Sequence, residues 1–183
     1  MKFNATLFAT ALTSALLMSS AYAADGTINF EGELIDQTCD ITVDGQTTPA
    51  NVVLPTVSVN NLASAGKTTG RTGFNIELKN CTGATTVSTA AAFFENGATV
   101  DTTTFRLINT AVTDAAGNVQ LELLDAKNDA VINVGNQNQN TNSSFITVAD
   151  NAAVLPYAVQ YYALGATTPG AVTSQVNFSV NYQ

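Results

Sequence analysis

The chain stops on SQVNFSVNYQ, residues 174–183, and the reading of this stretch decides the fold. Val176, Phe178, Val180 and Tyr182 alternate with Asn177, Ser179 and Asn181. A period of two places one set on one face of the backbone and the other set on the opposite face, so the segment reads as a half-buried β-strand. Chain termini commonly fray. Here the alternation runs to the penultimate residue, and its apolar face needs a cover.

The same period recurs upstream. GFNIELKNC (73–81) sets Phe74, Ile76 and Leu78 against Asn75, Glu77 and Lys79. VQLELLD (119–125) sets Leu121 and Leu123 against Gln120 and Glu122, and LPYAVQYYALG (155–165) puts Tyr157, Val159 and Tyr161 on one face. STAAAFFEN (88–96) and TFRLINT (104–110) are further strand candidates. Turn signals fall between these runs: DG at 44–45, NG at 96–97, AAGN at 115–118, KND at 127–129 and TTPG at 167–170. Short strands punctuated in this way predict an all-β sandwich. One short helical turn is expected within VSVNNLASAG (57–66), and the polar run GNQNQNTNSS (135–144) reads as a solvated loop.

The other terminus indicates the compartment. Residues 1–23 carry Lys2, an apolar stretch from Leu7 to Met18, and small residues at Ala21 and Ala23. That is the pattern of a secretory signal peptide with cleavage before Ala24. The apolar stretch is shorter than the ~20 residues that a membrane span needs. Without Lys2 the remaining chain has five basic residues against 14 acidic ones. Such a balance disfavours nucleic acid and anionic lipid as partners. Two cysteines, Cys39 and Cys81, in an exported chain read as a disulfide. Closing a loop of about 40 residues stabilises the fold by roughly 4 kcal/mol in the chain-entropy model.

Catalytic chemistry finds little support. The chain has no histidine, which excludes Ser-His-Asp and Cys-His nucleophilic sites. Two thiols without histidine are a thin metal-ligand set, so neither metal nor cofactor is implied. No phosphate-binding or dinucleotide fingerprint is present. A glycosidase carboxylate pair is the remaining enzymatic alternative, and none of the 14 acidic residues stands out for it.

The segment before Cys39, ADGTINFEGELIDQTC (24–39), repeats the opening pattern. Ile28, Phe30, Gly32 and Leu34 share one parity, while Asn29, Glu31 and Glu33 share the other. Glycine on the buried face of a strand marks close approach by something else. The features come in a fixed order: an alternating N-terminal extension with Gly32 on its apolar parity, Cys39, then Cys81 closing a strand. Gly170 follows, fourteenth from the end, and then an alternating last strand with penultimate Tyr182. In this order the whole chain after the leader resembles the major pilins of chaperone–usher, type 1-like fimbriae.

The resemblance implies an incomplete immunoglobulin-like β-sandwich, completed by a donor strand from a neighbouring subunit. It divides the chain into a signal peptide (1–23), a donor extension (24–37) and a pilin domain (38–183). Ile28, Phe30, Gly32 and Leu34, within residues 25–36, would form the donor strand. Gly170, Val176, Phe178, Val180 and Tyr182 would belong to the groove that receives a chaperone strand and then a donor. The implied partners are further copies of the chain in a head-to-tail polymer, a periplasmic chaperone, an outer-membrane usher, and a tip adhesin or adaptor pilin. The implied location is the fimbrium, reached through the periplasm. The alternatives are a carbohydrate-binding adhesin or a minor adaptor pilin of the same fimbria. An adhesin of that family would carry an extra lectin domain, which a chain of this length does not accommodate.

Overall fold

Alternating strands account for most of the fold. In the computed structural model, residues 28–32, 34, 36, 38–83 and 89–183 are described. The leader expected over 1–23, and residues 24–27 after it, lie outside them. The chain divides into two units, Met1–Leu34 and Ile35–Gln183. The second holds the strands β1 (Thr38–Val43), β2 (Gln46–Thr47), β3 (Thr68–Thr82), β4 (Thr89–Phe94), β5 (Leu107–Ile108), β6 (Val119–Asp125), β7 (Val131–Ile132), β8 (Ile146–Thr147), β9 (Ala153–Ala163) and β10 (Phe178–Tyr182).

They form two sheets. One runs in the order β2-β1-β3-β9-β6-β5, with β7 also paired to β6, and the other runs β10-β4-β8. All the strand pairings are antiparallel. The result is a sandwich of immunoglobulin type. The hairpin from β1 to β2 turns on Asp44 and Gly45, both left-handed (φ 47° and 75°), in the DG turn that the sequence indicates. The helical turn expected within 57–66 is a 3-10 turn over Val59–Leu62, opened by the Ser58 side chain accepting from Asn60 N.

The core lies between the sheets. Phe74, Ile76 and Leu78 of β3, Leu121 and Leu123 of β6, and Leu155, Tyr157 and Val159 of β9 are all buried. They pack with Ala90, Ala92 and Phe94 of the smaller sheet. The Phe94 ring meets Tyr157 edge-on with centroids 5.0 Å apart, a favoured aromatic geometry.

Two sequence expectations are corrected. The polar parity of β6 does not face water: Glu122 and Gln120 are each only 3% exposed. The Glu122 carboxylate accepts from Arg106 Nε (2.8 Å) and Gln160 Nε2 (2.7 Å), and the guanidinium stacks 3.6 Å over the Tyr162 ring. Paired and hydrogen-bonded in this way, a buried carboxylate is tolerated. The TFRLINT candidate shrinks to Leu107–Ile108. The reason is local: Asp101 Oδ1 accepts from the N–H groups of Thr103 and Thr104, and Phe105 is left-handed at φ 56°.

Candidate functional site: an open strand-docking groove

The terminal segment has one satisfied edge. Its odd-numbered residues bond inward to the sheet. Thr173 O accepts from Thr110 N (2.8 Å), Gln175 O from Thr99 Oγ1 (2.6 Å), and Asn177 O from Glu95 N (2.8 Å). Gln183 and Thr89 exchange both backbone bonds at 2.9 Å. In an antiparallel pair, doubly bonded positions alternate with positions whose N–H and C=O point away. From the register Phe178↔Phe94, Val180↔Ala92 and Tyr182↔Ala90, those three residues offer their backbone groups to the outer side. Val172, Ser174 and Val176 continue the series and make no hydrogen bond among the described residues. Among the described residues, the outer edge of residues 172–182 is therefore a ladder with no second rail.

The side chains along that edge are covered only in part. Val172, Val176, Phe178, Val180 and Tyr182 pack against the core yet stay partly exposed, while most of the core is buried. Residues 50–57 form a second wall with the same character. Ala50, Val52 and Leu54 are half-buried against the core, and Val53 is 83% exposed. From Val52 to Val57 the only backbone group with a partner among the described residues is Pro55 O, which accepts from Tyr161 OH at 3.2 Å. A hollow of about 230 Å³ lies against Val52, Val53, Leu54, Leu121, Tyr161 and Val172. Toward the far end, Tyr182 OH donates to Cys39 Sγ at 3.4 Å, and burial raises the Tyr182 phenol above its ordinary pKa.

The opposite edge of the smaller sheet is closed. The outward backbone groups of β4 meet three different partners. Ala90 pairs with Ile146 of β8. Ala92 N donates to Tyr157 OH at 2.8 Å. Phe94 N donates to Gln139 Oε1, while Gln139 Nε2 donates back to Phe94 O, both at 3.0 Å. Gln139 is only 3% exposed and opens a helical turn, Gln139–Asn142, inside the run that the sequence suggests is a solvated loop. Its amide stands in for a strand. That role is not visible in the sequence, where Gln139 is one of several Asn and Gln residues in a polar tract.

The sequence-predicted residues fall into three places. Cys39 and Cys81 are bonded and tie β1 to β3 beside the groove. Gly170 stands at the head of the terminal segment. A Cβ there would run into the backbone of Asp114, Ala115 and Ala116, so Gly170 permits a close crossing that launches the edge. This crossing is held by Ala171, whose N–H donates to Asp114 O (2.7 Å) and whose O accepts from Ala116 N (2.9 Å). The extension residues Ile28, Phe30 and Leu34 are 78%, 90% and 101% exposed, and a Cβ on Gly32 would meet nothing within 4 Å. The segment 50–57 also lines the groove, and sequence reading misses it because Pro49 and Pro55 interrupt its pattern.

Comparison with known proteins agrees with this architecture. The family model described as "FimA: Type-1 fimbrial protein, A" matches residues 54–183. The chain is similar to "Major fimbrial subunit SMF-1" of Stenotrophomonas maltophilia (strain K279a), at 46% identity over 89% of this chain and 95% of that one. It is similar to the F17 fimbrial protein of Escherichia coli, at 40% identity over 96% of this chain and 97% of that one. Among solved structures, a chaperone–usher pilus subunit matches with a TM-score of 0.55 at 21% identity, over 87% of this chain and 96% of that one. At that identity the likeness concerns the fold.

Proposed function

The chain belongs to the type-1 fimbrial protein A family, and on that premise we propose that it polymerises by lending residues 24–37 of one copy to the groove of the next. It is a structural subunit of a fimbria, carried through the periplasm to the cell surface. Ile28, Phe30 and Leu34 form the apolar face of the donated strand, with Gly32 among them. The 172–182 edge, carrying Val176, Phe178, Val180 and Tyr182, receives it, and Gly170 fixes where that edge begins. A periplasmic chaperone strand holds the groove before assembly, since an open edge invites aggregation. An outer-membrane usher then exchanges it for the next subunit, and a tip adhesin or adaptor pilin ends the polymer. Chaperone–pilin pairing is itself a standing example of β-strand addition. The subunit acts without catalysis.

One complementarity carries the reading: the apolar side chains Ile28, Phe30 and Leu34 of the extension are exposed, and a half-covered edge of the same chain has backbone groups without partners among the described residues. Burying three large side chains contributes about 5–9 kcal/mol at roughly 1.5–3 kcal/mol each. Backbone pairing adds roughly 0.5–1.5 kcal/mol per hydrogen bond. The test is to melt oxidised protein lacking residues 24–37 with and without a peptide of residues 24–37. The expected rise is about 10–20 °C with excess peptide, scaling 5 kcal/mol by the 2–4 °C per kcal/mol of a domain this size. A stable domain that the peptide leaves unshifted refutes the reading.

A further inference from the structure

The proposed donor is acidic, and the walls of its groove are uncharged. Residues 24–37 carry Asp25, Glu31, Glu33 and Asp36 with no lysine or arginine, while residues 49–63 and 170–183 hold no charged side chain. Asp25, Glu31 and Glu33 share the parity of Asn29, away from the apolar face. Asp36 does not. It continues the series Ile28, Phe30, Gly32, Leu34, and alternation turns it toward the acceptor. A carboxylate on the docking side of a strand needs a partner.

The acceptor has a cation placed for it. Arg71, Lys79 and Arg106 are already in ion pairs with Asp129, Glu77 and Glu122. Lys67 and Lys127 are exposed and have no ion pair among the described residues. Their places differ, and β9 sets the direction along the groove. Tyr157 OH accepts from Ala92 N, opposite Val180, and Tyr161 lines the hollow beside Val172. The next residue of that parity is Ala163, whose N–H donates to Lys67 O at 2.9 Å. Lys67 therefore stands just past the head of the groove. It shares the parity of Thr69, which pairs with Tyr161 on the core side. Lys127 instead follows β6, where Asp125 pairs with Tyr157, away from the head.

We propose that Lys67 of the acceptor captures Asp36 of the incoming copy, an ion pair that latches the C-terminal end of the donated strand at the head of the groove. This rests on the strand-docking reading. The other end of the groove is taken. There the acceptor's own chain enters β1 at Thr38, next to Cys39, whose Sγ accepts from Tyr182 OH. A donor leaving at that end would bring its own domain, which also starts at Thr38, onto the same place. At the head, Asp36 lies one inward position beyond Leu34, where the apolar walls end. A pair at such a rim adds little to affinity. Its larger effect is on encounter, because a lone cation at a neutral groove draws in an acidic strand.

The test uses full-length chain assembled into fibres by its export machinery, with subunit shedding followed in urea. At about 10 mM salt, where the screening length is about 30 Å, Lys67→Glu is expected to speed shedding about fivefold. At about 1 M salt, where that length is about 3 Å, the difference from wild type is expected to vanish. Asp36→Lys should behave in the same way, and the double reversal should restore the wild-type rate. Lys127→Glu makes the same change in net charge as Lys67→Glu and should leave shedding unaltered. Where Lys67→Glu yields too few fibres to purify, Lys67→Gln takes its place, with an expected effect of about twofold. A Lys67 variant that sheds like Lys127→Glu, a difference that persists at high salt, or no rescue by the double reversal overturns the latch. The docking reading fails separately: fibres from chain with Ile28, Phe30 and Leu34 all changed to Ser would refute it, whatever Lys67 does.

Discussion

Replacing Phe30 with alanine separates two roles that most core substitutions confound. Phe30 is 90% exposed in the single chain. Its loss should leave subunit stability within about 0.5 kcal/mol, as for an ordinary surface position. If the strand docks as proposed, the same ring is buried in the groove of the next copy, and Phe→Ala in a packed core costs about 3–5 kcal/mol. If the whole loss falls on the docked state, 3 kcal/mol corresponds to a roughly hundredfold faster release of subunits at 1.4 kcal/mol per factor of ten. Two measurements are compared. One is the denaturation midpoint of the subunit held by saturating wild-type peptide 24–37, with and without the Phe30→Ala change in the subunit's own extension. The other is the rate at which purified fibres shed subunits in subdenaturing guanidinium. The expected result is an unchanged midpoint and much faster shedding. A destabilised subunit with fibres that shed at the wild-type rate would show that Phe30 packs at home, and the docking argument would fall.

Two further outcomes probe the scaffold around the groove. Gln139→Leu should destabilise the domain by about 2–4 kcal/mol: Phe94 O keeps its bond from Gly135 N (2.9 Å), but Phe94 N is orphaned in a buried place; an unchanged urea midpoint would contradict this. Burial pushes the Tyr157 phenol up to about 12 from its ordinary 10. A folded pKa above the unfolded one means that stability is complete below pH 10 and is lost as pH rises toward 12, by about 2–3 kcal/mol. Tyr157→Phe should remove most of that alkaline slope in urea midpoints recorded from pH 9 to 12, leaving a smaller remainder from Tyr161 and Tyr182, whose phenols burial also raises; an undiminished slope would assign it to other groups.

Sequence period showed which residues share a face, but not whether that face is covered. β3, β9 and β10 were legible because their apolar parity is wholly core-facing, as with Phe74, Ile76 and Leu78. The same logic failed on β6, where Glu122 looks solvent-facing and is held under Arg106 and Gln160 instead. It failed again on Gln139, because a side-chain amide that closes a strand edge 45 residues away leaves no local trace. The extension was legible for the opposite reason. The apolar parity of Ile28, Phe30 and Leu34 is informative because the pattern is there while the side chains are exposed.

The distribution of open and closed edges explains why strand donation yields a filament. β4 spends Tyr157, Gln139 and β8 on closing its far edge, so the small sheet can grow only beyond β10. The large sheet presents the short β2 and β5 at its two ends, each only two residues long, too little to template a partner. One usable groove and one extension per subunit give each copy a single acceptor and a single donor. These are different surfaces, so the contact is heterologous, and such a contact repeated without closing generates an open fibre. Closing the β10 edge within the chain would make a more stable monomer and remove the acceptor. The half-buried state of Val176, Phe178 and Val180 is therefore a stability deficit in the free subunit that a strand from another chain can fill.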